Sequence, residues 1–138
     1  MTNEEINEKM VSDIEELLLK YNLFHGTKIY FNNKCVSDIG AQRVIRENIE
    51  VEKCQDWCNP KMISMAYEGA DSFYLVVNGY AKSEDERKRA NKITSELIKI
   101  SERYNRYFEL GTDTTLYFVS DDDLGTPTDK YYYGKESL

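Results

Sequence analysis

The sequence predicts a single α+β domain in which two main helices pack on an antiparallel sheet of about four to six strands. Two long stretches repeat apolar residues at helical spacing, each after a capping-box sequence. Short β-rich runs come in pairs that turn residues separate. The chain has 138 residues, of which 41% are apolar, which suits one compact domain. We assign residues 1–120 to this domain and residues 121–138 to an acidic, tyrosine-containing C-terminal segment, for which we expect mobility.

The first helix is predicted to begin close to residue 1. Thr2-Asn3-Glu4-Glu5 has the form of a capping box, in which a threonine N-cap is followed three residues later by a glutamate. The acids of this helix lie mostly off the apolar stripe that follows, so we expect them on its solvent side: Glu4, Glu8, Glu15 and Glu16. Asn22 and Gly26 are typical helix-ending residues. The stripe consists of Ile6, Met10, Ile14, Leu17, Leu18 and Tyr21.

A β-hairpin is predicted after this helix. Thr27–Phe31 and Lys34–Val36 are the two strands, and the pair Asn32-Asn33 between them tolerates the positive φ of a tight turn. The signals beyond the hairpin are mixed. We interpret Ala41–Arg46 as a short helix and Val51–Cys58 as one or two further turns.

Two more pairs of strands are predicted in the second half of the chain. Met62–Tyr67 and Phe73–Val77 form the first pair, although the second run is also compatible with a buried helix. Tyr107–Leu110 and Thr114–Val119 form the other pair, and Gly111–Asp113 supplies the turn.

The second long helix is predicted to begin at Ser83. Ser83-Glu84-Asp85-Glu86 is a second capping box, with acids at the positive end of the helix dipole. The basic run Arg87-Lys88-Arg89 and Lys92 lie on the opposite face from the apolar stripe, and we interpret them as a solvated face. The stripe consists of Ala90, Ile93, Leu97, Ile98 or Ile100, Tyr104 and Tyr107.

The two helices end on similar sequences. Tyr21-Asn22 follows the first helix and Tyr104-Asn105 follows the second, and a β-rich run comes after each. Two α-β-β units on one sheet would explain this echo. A coincidence of favoured turn residues would explain it equally well.

Acidic residues are concentrated at the two ends of the chain. Residues 1–20 carry a net charge of −4 and residues 108–138 a net charge of −5, whereas the residues between carry +2, for a total of −7. An acidic surface is repelled by nucleic acid and by anionic membranes, so we expect neither as a direct partner. No signal-peptide pattern or membrane-length apolar run is present, and three cysteines fit reduced thiols, so we expect a cytoplasmic protein.

The residues supply no recognisable catalytic constellation. His25 is the only histidine, it has no serine or cysteine motif beside it, and the glycines stand alone. Cys54 and Cys58 are four residues apart and would form a Cys₃His zinc set with Cys35 and His25. Because the ligands are not paired in sequence, we favour buried thiols instead. We therefore predict a non-enzymatic protein with no catalytic residue, no bound metal and no cofactor.

Two alternatives remain open from the sequence. Asp121-Asp122-Asp123, with Glu109 and Asp113, offers oxygen ligands for a divalent cation, which would suit a small carboxylate- and metal-dependent enzyme. The eleven tyrosines would instead suit a structural or assembly subunit that buries them in a homo-oligomer, of which a homodimer is one form.

The leading prediction is a protein that binds another protein through its acids. Carboxylates along a helix and a tail can occupy a basic, nucleic-acid-binding surface of a partner, and tyrosines beside them would supply the desolvated anchors. The residues predicted to bind the partner are Glu4, Glu8 and Glu15 in the first helix, and Asp121, Asp122, Asp123, Tyr131, Tyr132 and Tyr133 in the C-terminal segment.

The sequence resembles small proteins carried by phages and mobile elements of low-GC Gram-positive bacteria in its small size, its acidity and its frequent use of Asn, Lys, Tyr and Ile. The similarity is clearest at Cys58-Asn59-Pro60, Met62, Met65 and Tyr67-Glu68-Gly69. Anti-CRISPR inhibitors are one such group, and several are acidic and block nucleic-acid-binding surfaces of a nuclease. The resemblance therefore implies an inhibitor, and it assigns no role to any residue.

Overall fold

The computed structural model describes residues 1–39, 42–50, 53, 62–67, 82–112 and 115–120, and within them two helices pack on a six-stranded antiparallel sheet. This arrangement confirms the predicted α+β class. The sheet order is β3-β2-β1-β4-β6-β5. The elements are α1 (Asn3–Lys20), β1 (Lys28–Phe31), β2 (Lys34–Ile39), β3 (Gln42–Arg46), β4 (Ile63–Ala66), α2 (Glu84–Arg103), β5 (Arg106–Thr112) and β6 (Thr115–Ser120).

Both helices begin where the sequence predicts, and α1 ends before Asn22 as expected, whereas α2 ends at Arg103, so Tyr107 of the predicted helical stripe lies in β5. The Thr2 hydroxyl accepts a hydrogen bond from the Glu5 amide at 3.1 Å, and the Ser83 hydroxyl accepts one from the Glu86 amide at 3.1 Å. Each hydroxyl thereby satisfies one of the amides that a helix start leaves without a partner. At the other ends, Asn22 and Asn105 have φ of 58° and 56°. Asparagine tolerates this left-handed conformation, which turns the chain toward the sheet.

Two predicted hairpins are confirmed. Asn32 and Asn33 have φ of 48° and 59° and connect β1 to β2. β5 pairs with β6, with a register irregularity between Leu110 and Thr112.

The predicted short helix over residues 41–46 is wrong, because Gln42–Arg46 is strand β3. It pairs with β2 from Ile39↔Gln42 to Cys35↔Arg46. The β-branched pair Val44-Ile45 favours an extended backbone, and the ladder with β2 supplies backbone bonds that a single helical turn lacks. The predicted strand Phe73–Val77 lies outside the described residues. The predicted turns at Val51–Cys58 also lie outside them, except at Lys53.

The main core lies between the two helices and one face of the sheet, called here the near face. The apolar stripe of α1 supplies fully buried side chains such as Met10, Ile14 and Leu18, and β1, β4 and β6 supply Ile29, Met65 and Phe118 among others. The sequence left open whether Ile98 or Ile100 belongs to the apolar stripe of α2. Ile100 is buried, whereas Ile98 is 41% exposed. On the opposite, far face, Tyr30 and Cys35 are buried in a second small cluster.

The similarity in sequence between the two halves corresponds to a similar structure at the helix ends but not in the sheet. β1 lies inside the sheet, with its hairpin partner β2 toward the β3 edge. β5 forms the opposite edge, and its partner β6 lies inward. The two hairpins therefore occupy different places, and two equivalent α-β-β units are not formed. No helix in the described part is long and apolar enough to cross a membrane.

Candidate functional site

A groove of about 370 Å³ runs between α1 and α2. Each helix contributes four residues to its lining, and the four positions match at one constant offset in sequence. Leu17 and Ile100 lie between the ends of the groove and are almost completely buried. The groove is therefore built by a local two-fold relation between the helices. The matched pairs are Asp13 with Glu96, Glu16 with Lys99, Leu17 with Ile100, and Lys20 with Arg103.

Reciprocal ion pairs close the two ends of the groove. Lys20 Nζ lies 2.8 Å from Glu96 Oε1, and Arg103 Nη1 lies 2.7 Å from Asp13 Oδ2. The Tyr104 hydroxyl donates to the same Asp13 oxygen at 2.5 Å. The end of each helix thus contacts an acid in the other helix, so α1 and α2 run antiparallel. Because these bonds cross from one helix to the other, they fix how the two helices sit side by side.

These contacts shift the pKa values of Lys20 and Glu96 and of the tyrosines that follow the two helices. A hydrogen bond from Lys20 lowers the pKa of Glu96 and raises the pKa of Lys20. The Glu96 carboxylate raises the pKa of Tyr21, and burial beside Asp13 raises the pKa of Tyr104. The Glu96 carboxylate is thereby held ionised, and the Tyr21 and Tyr104 phenols are held neutral, at neutral pH.

A second surface, which we call the acidic end, forms where α1 begins. Arg106 fixes this end of α1 by donating to Asn3 Oδ1 at 2.7 Å and to Asn7 Oδ1. The β1–β2 turn joins it, since Asn32 Nδ2 donates to the Glu4 carbonyl at 2.9 Å and the Ile49 amide donates to the Asn33 carbonyl at 3.0 Å. The segment after β3 is thereby held close to the start of α1. The acidic end consists of the exposed residues Glu4, Glu5, Glu8, Glu47 and Glu50.

The three acids predicted in α1 have different surroundings. Glu4 is exposed, and Glu8 is exposed but paired with Lys34. Glu15, expected on the solvent side, is buried instead, and its carboxylate accepts two hydrogen bonds from Arg43 of β3 at 3.0 and 3.1 Å. Its position on the flank of α1 that faces the sheet edge explains this difference. The other predicted binding residues, Asp121–Asp123 and Tyr131–Tyr133, lie outside the described residues.

The residues considered for metal binding do not come together in the described part. His25 Nδ1 lies 4.0 Å from Asp38 on the near face, whereas Cys35, an odd number of positions from Asp38, is buried on the far face. Burial raises the pKa of the Cys35 thiol, as expected for a core residue. Among described residues no group of three histidine, cysteine or acidic side chains is placed to hold a metal. Cys54, Cys58, Asp113 and Asp121 lie outside them.

No family model, curated protein or solved structure matches this chain. The groove and the acidic end are therefore the observations on which a function can be argued. Sequence reasoning did not find the groove, although its signal was present. The echo at Tyr21 and Tyr104 extends backward along both helices, and the matched acids Asp13 and Glu96 lie equally far before the two tyrosines.

Proposed function

We propose that this protein is a non-enzymatic binding protein that inhibits its partner by covering a basic, nucleic-acid-binding surface. The acidic end is the observation that carries the proposal. It consists of five exposed glutamates from two stretches of the chain that hydrogen bonds to the β1–β2 turn hold together, and these stretches also carry the exposed bases Lys9 and Arg46. The similarity in style to anti-CRISPR inhibitors points to the same class of function.

The charge of the acidic end is available to a partner. Glu8 and Glu50 are paired with Lys34 and Lys53, whereas Glu4, Glu5 and Glu47 form no ion pair within the described part of the chain. Exposed like charges repel one another and add little to stability. They do increase the rate at which an oppositely charged protein associates, and this effect weakens with salt. Among the described residues, the unpaired carboxylates of the acidic end therefore contribute more to association with a basic protein than to the stability of the fold.

The C-terminal acids and tyrosines are the second part of the proposed set of binding residues. Asp121–Asp123 would add negative charge, and Tyr131–Tyr133 would supply the aromatic anchors on which most interface energy depends. Glu15 is no longer part of the proposal, because its carboxylate is engaged by Arg43.

Charge reversal at matched positions tests the acidic end. The test variant is Glu4→Lys with Glu47→Lys, and the control is Asp85→Lys with Glu102→Lys. Glu4 and Asp85 occupy the first turns of α1 and α2, and all four residues are exposed, so the two variants change charge equally and disturb helix starts alike. Proteins retained by each variant from cells that carry the gene are identified, and the affinity for each is then measured at several salt concentrations.

The proposal predicts a basic partner that the control variant retains and the test variant loses. Affinity should fall about tenfold or more on reversal at the acidic end, and the dependence of affinity on salt should become weaker. Equal losses for both variants would show that only net charge matters, and an unchanged affinity for the test variant would refute the acidic end as the binding surface.

A further inference from the structure

We infer that the helix layer formed by α1 and α2 is a self-association surface, and that its partner is a second copy of this chain. The inference does not depend on the acidic end, which lies at one end of the sheet. It rests on one pair of charged groove residues that forms no ion pair in the described part of the chain, and on one pair of exposed apolar residues beside the groove.

Glu16 and Lys99 form the first pair. Both are exposed, both line the groove, and they occupy matching positions in the two helices with opposite charge. The remaining charged residues of the lining are engaged across the groove, Asp13 with Arg103 and Lys20 with Glu96. In the described part of the chain neither Glu16 nor Lys99 has an ion-pair partner. Among the described residues, the lining of the groove thus presents one negative and one positive charge that no ion pair neutralises.

Leu19 and Ile98 form the second pair. They are 60% and 41% exposed, which places them among the exposed large apolar side chains of the described residues. Leu19 lies two residues after Leu17, and Ile98 lies two residues before Ile100. Because the helices are antiparallel, both steps lead in the same direction along the groove, so the two apolar side chains lie at the same level. Neither lines the groove, so each lies to one side of it.

The two pairs select one symmetry for the dimer. A two-fold axis parallel to the helices lays α1 of one copy over α2 of the other and leaves the level along the helix unchanged. Glu16 then faces Lys99 of the second copy, and Leu19 faces Ile98 of the second copy, each contact occurring twice. An axis across the helices would lay α1 on α1, and if it passed at the level of Glu16 it would bring Glu16 against Glu16 and Lys99 against Lys99, which repel. The parallel axis is therefore the arrangement that the charges favour.

A charge swap on the full chain tests the inference. The variants are Glu16→Lys, Lys99→Glu and the double variant, with Asp85→Lys as a control for an exposed acid in the first turn of α2, about 20 Å along the helix from Lys99. Molar mass and the dimer dissociation constant are measured by sedimentation equilibrium, and thermal melts establish that each variant folds. An additional variant, Leu19→Ser with Ile98→Ser, removes the apolar contacts and leaves the charges intact.

We expect a reversible dimer for the wild type and the control. Each single reversal should weaken the dimer about tenfold or more, because it places two like charges opposite each other twice, and the double variant should restore it. The serine variant should weaken the dimer without changing its salt dependence. A chain that stays monomeric at about 1 mM overturns the inference. So does a dimer indifferent to the single reversals, or a double variant that regains thermal stability without regaining the dimer.

Discussion

Asn32 and Asn33 share a left-handed backbone conformation but differ in what their side chains contact. Asn32 accepts from Asn7 Nδ2 at 3.0 Å and donates to the Glu4 carbonyl at 2.9 Å, while Asn33 is exposed. Glycine adopts the positive φ at either position, so Asn33→Gly should be neutral or stabilising. Asn32→Gly should cost about 1–2 kcal/mol, because two side-chain hydrogen bonds are lost. Urea denaturation of the two variants isolates this difference, and equal effects would contradict it.

Gly111 is a position where the space beside the backbone decides the residue. A Cβ there would lie 2.7 Å from Thr115 Oγ1 and 3.3 Å from Tyr117 Cε1, next to the irregularity in the β5–β6 ladder. Gly111→Ala should therefore destabilise the protein by about 1–3 kcal/mol. Thr115→Ala removes the nearest atom, so the double variant should be more stable than the sum of the single effects predicts. Additive effects in thermal melts would show that backbone conformation, and not the contact, explains the glycine.

At the residue scale, the sequence predicts the burial of apolar side chains well. It predicts less well which acidic side chains are exposed to solvent. The buried stripe of α1 follows from helical spacing, which depends only on residues a few positions apart. The burial of Glu15 depends on Arg43, in a strand that was expected to be a helix. The solvent exposure of a charged side chain is decided by partners distant in sequence, and a single sequence does not reveal them.

At the scale of elements, local signals explain what was predicted. The capping boxes at Thr2 and Ser83 and the Asn32-Asn33 turn operate within four residues, so they are visible in the sequence and confirmed in the structure. β3 has no such signal, because its stability comes from pairing with β2. The groove was missed for the same reason, since it exists only once two helices far apart in sequence lie side by side.

The Lys20–Glu96 ion pair makes the stability of the helix layer dependent on pH. Lys20 lowers the pKa of Glu96 in the folded protein relative to the unfolded chain. The pair therefore stabilises the fold fully above the ordinary pKa of glutamate, about 4.3, and this contribution is lost as the pH falls through the lower, folded pKa. Glu96→Gln should be less stable than the wild type at about pH 7, and the difference should shrink toward about pH 3.

Urea denaturation across this range measures the effect of Glu96→Gln. Glu102→Gln is the matched control, because it removes a carboxylate from an exposed site on the same helix. A difference between Glu96→Gln and the wild type that stays constant down to about pH 3 would contradict the role assigned to the Lys20–Glu96 pair.

On the scale of the whole molecule, the uneven distribution of charge has two different meanings. Part of the N-terminal acid is used inside the fold, as Glu15 with Arg43, Asp13 with Arg103 and Glu8 with Lys34 show. The remainder gathers with Glu47 and Glu50 at the acidic end. The acidic end therefore combines glutamates of the acidic N-terminal stretch with glutamates of the middle stretch, which is net positive in sequence.

The C-terminal segment, residues 121–138, tests whether charge and fold are separable in this protein. Both helices and all six strands of the described sheet lie before residue 121. A chain that ends at Ser120 should therefore unfold cooperatively, with a melting temperature within a few degrees of that of the full chain. A shift of this size corresponds to a change of about 1 kcal/mol or less in the free energy of unfolding. It should lose affinity for a basic partner, because the acids and tyrosines at 121–138 are removed. Circular dichroism melts and binding measurements on the same two proteins separate these outcomes. A truncated chain that fails to fold would move the domain boundary beyond Ser120, and one that keeps full affinity would confine the binding surface to the acidic end.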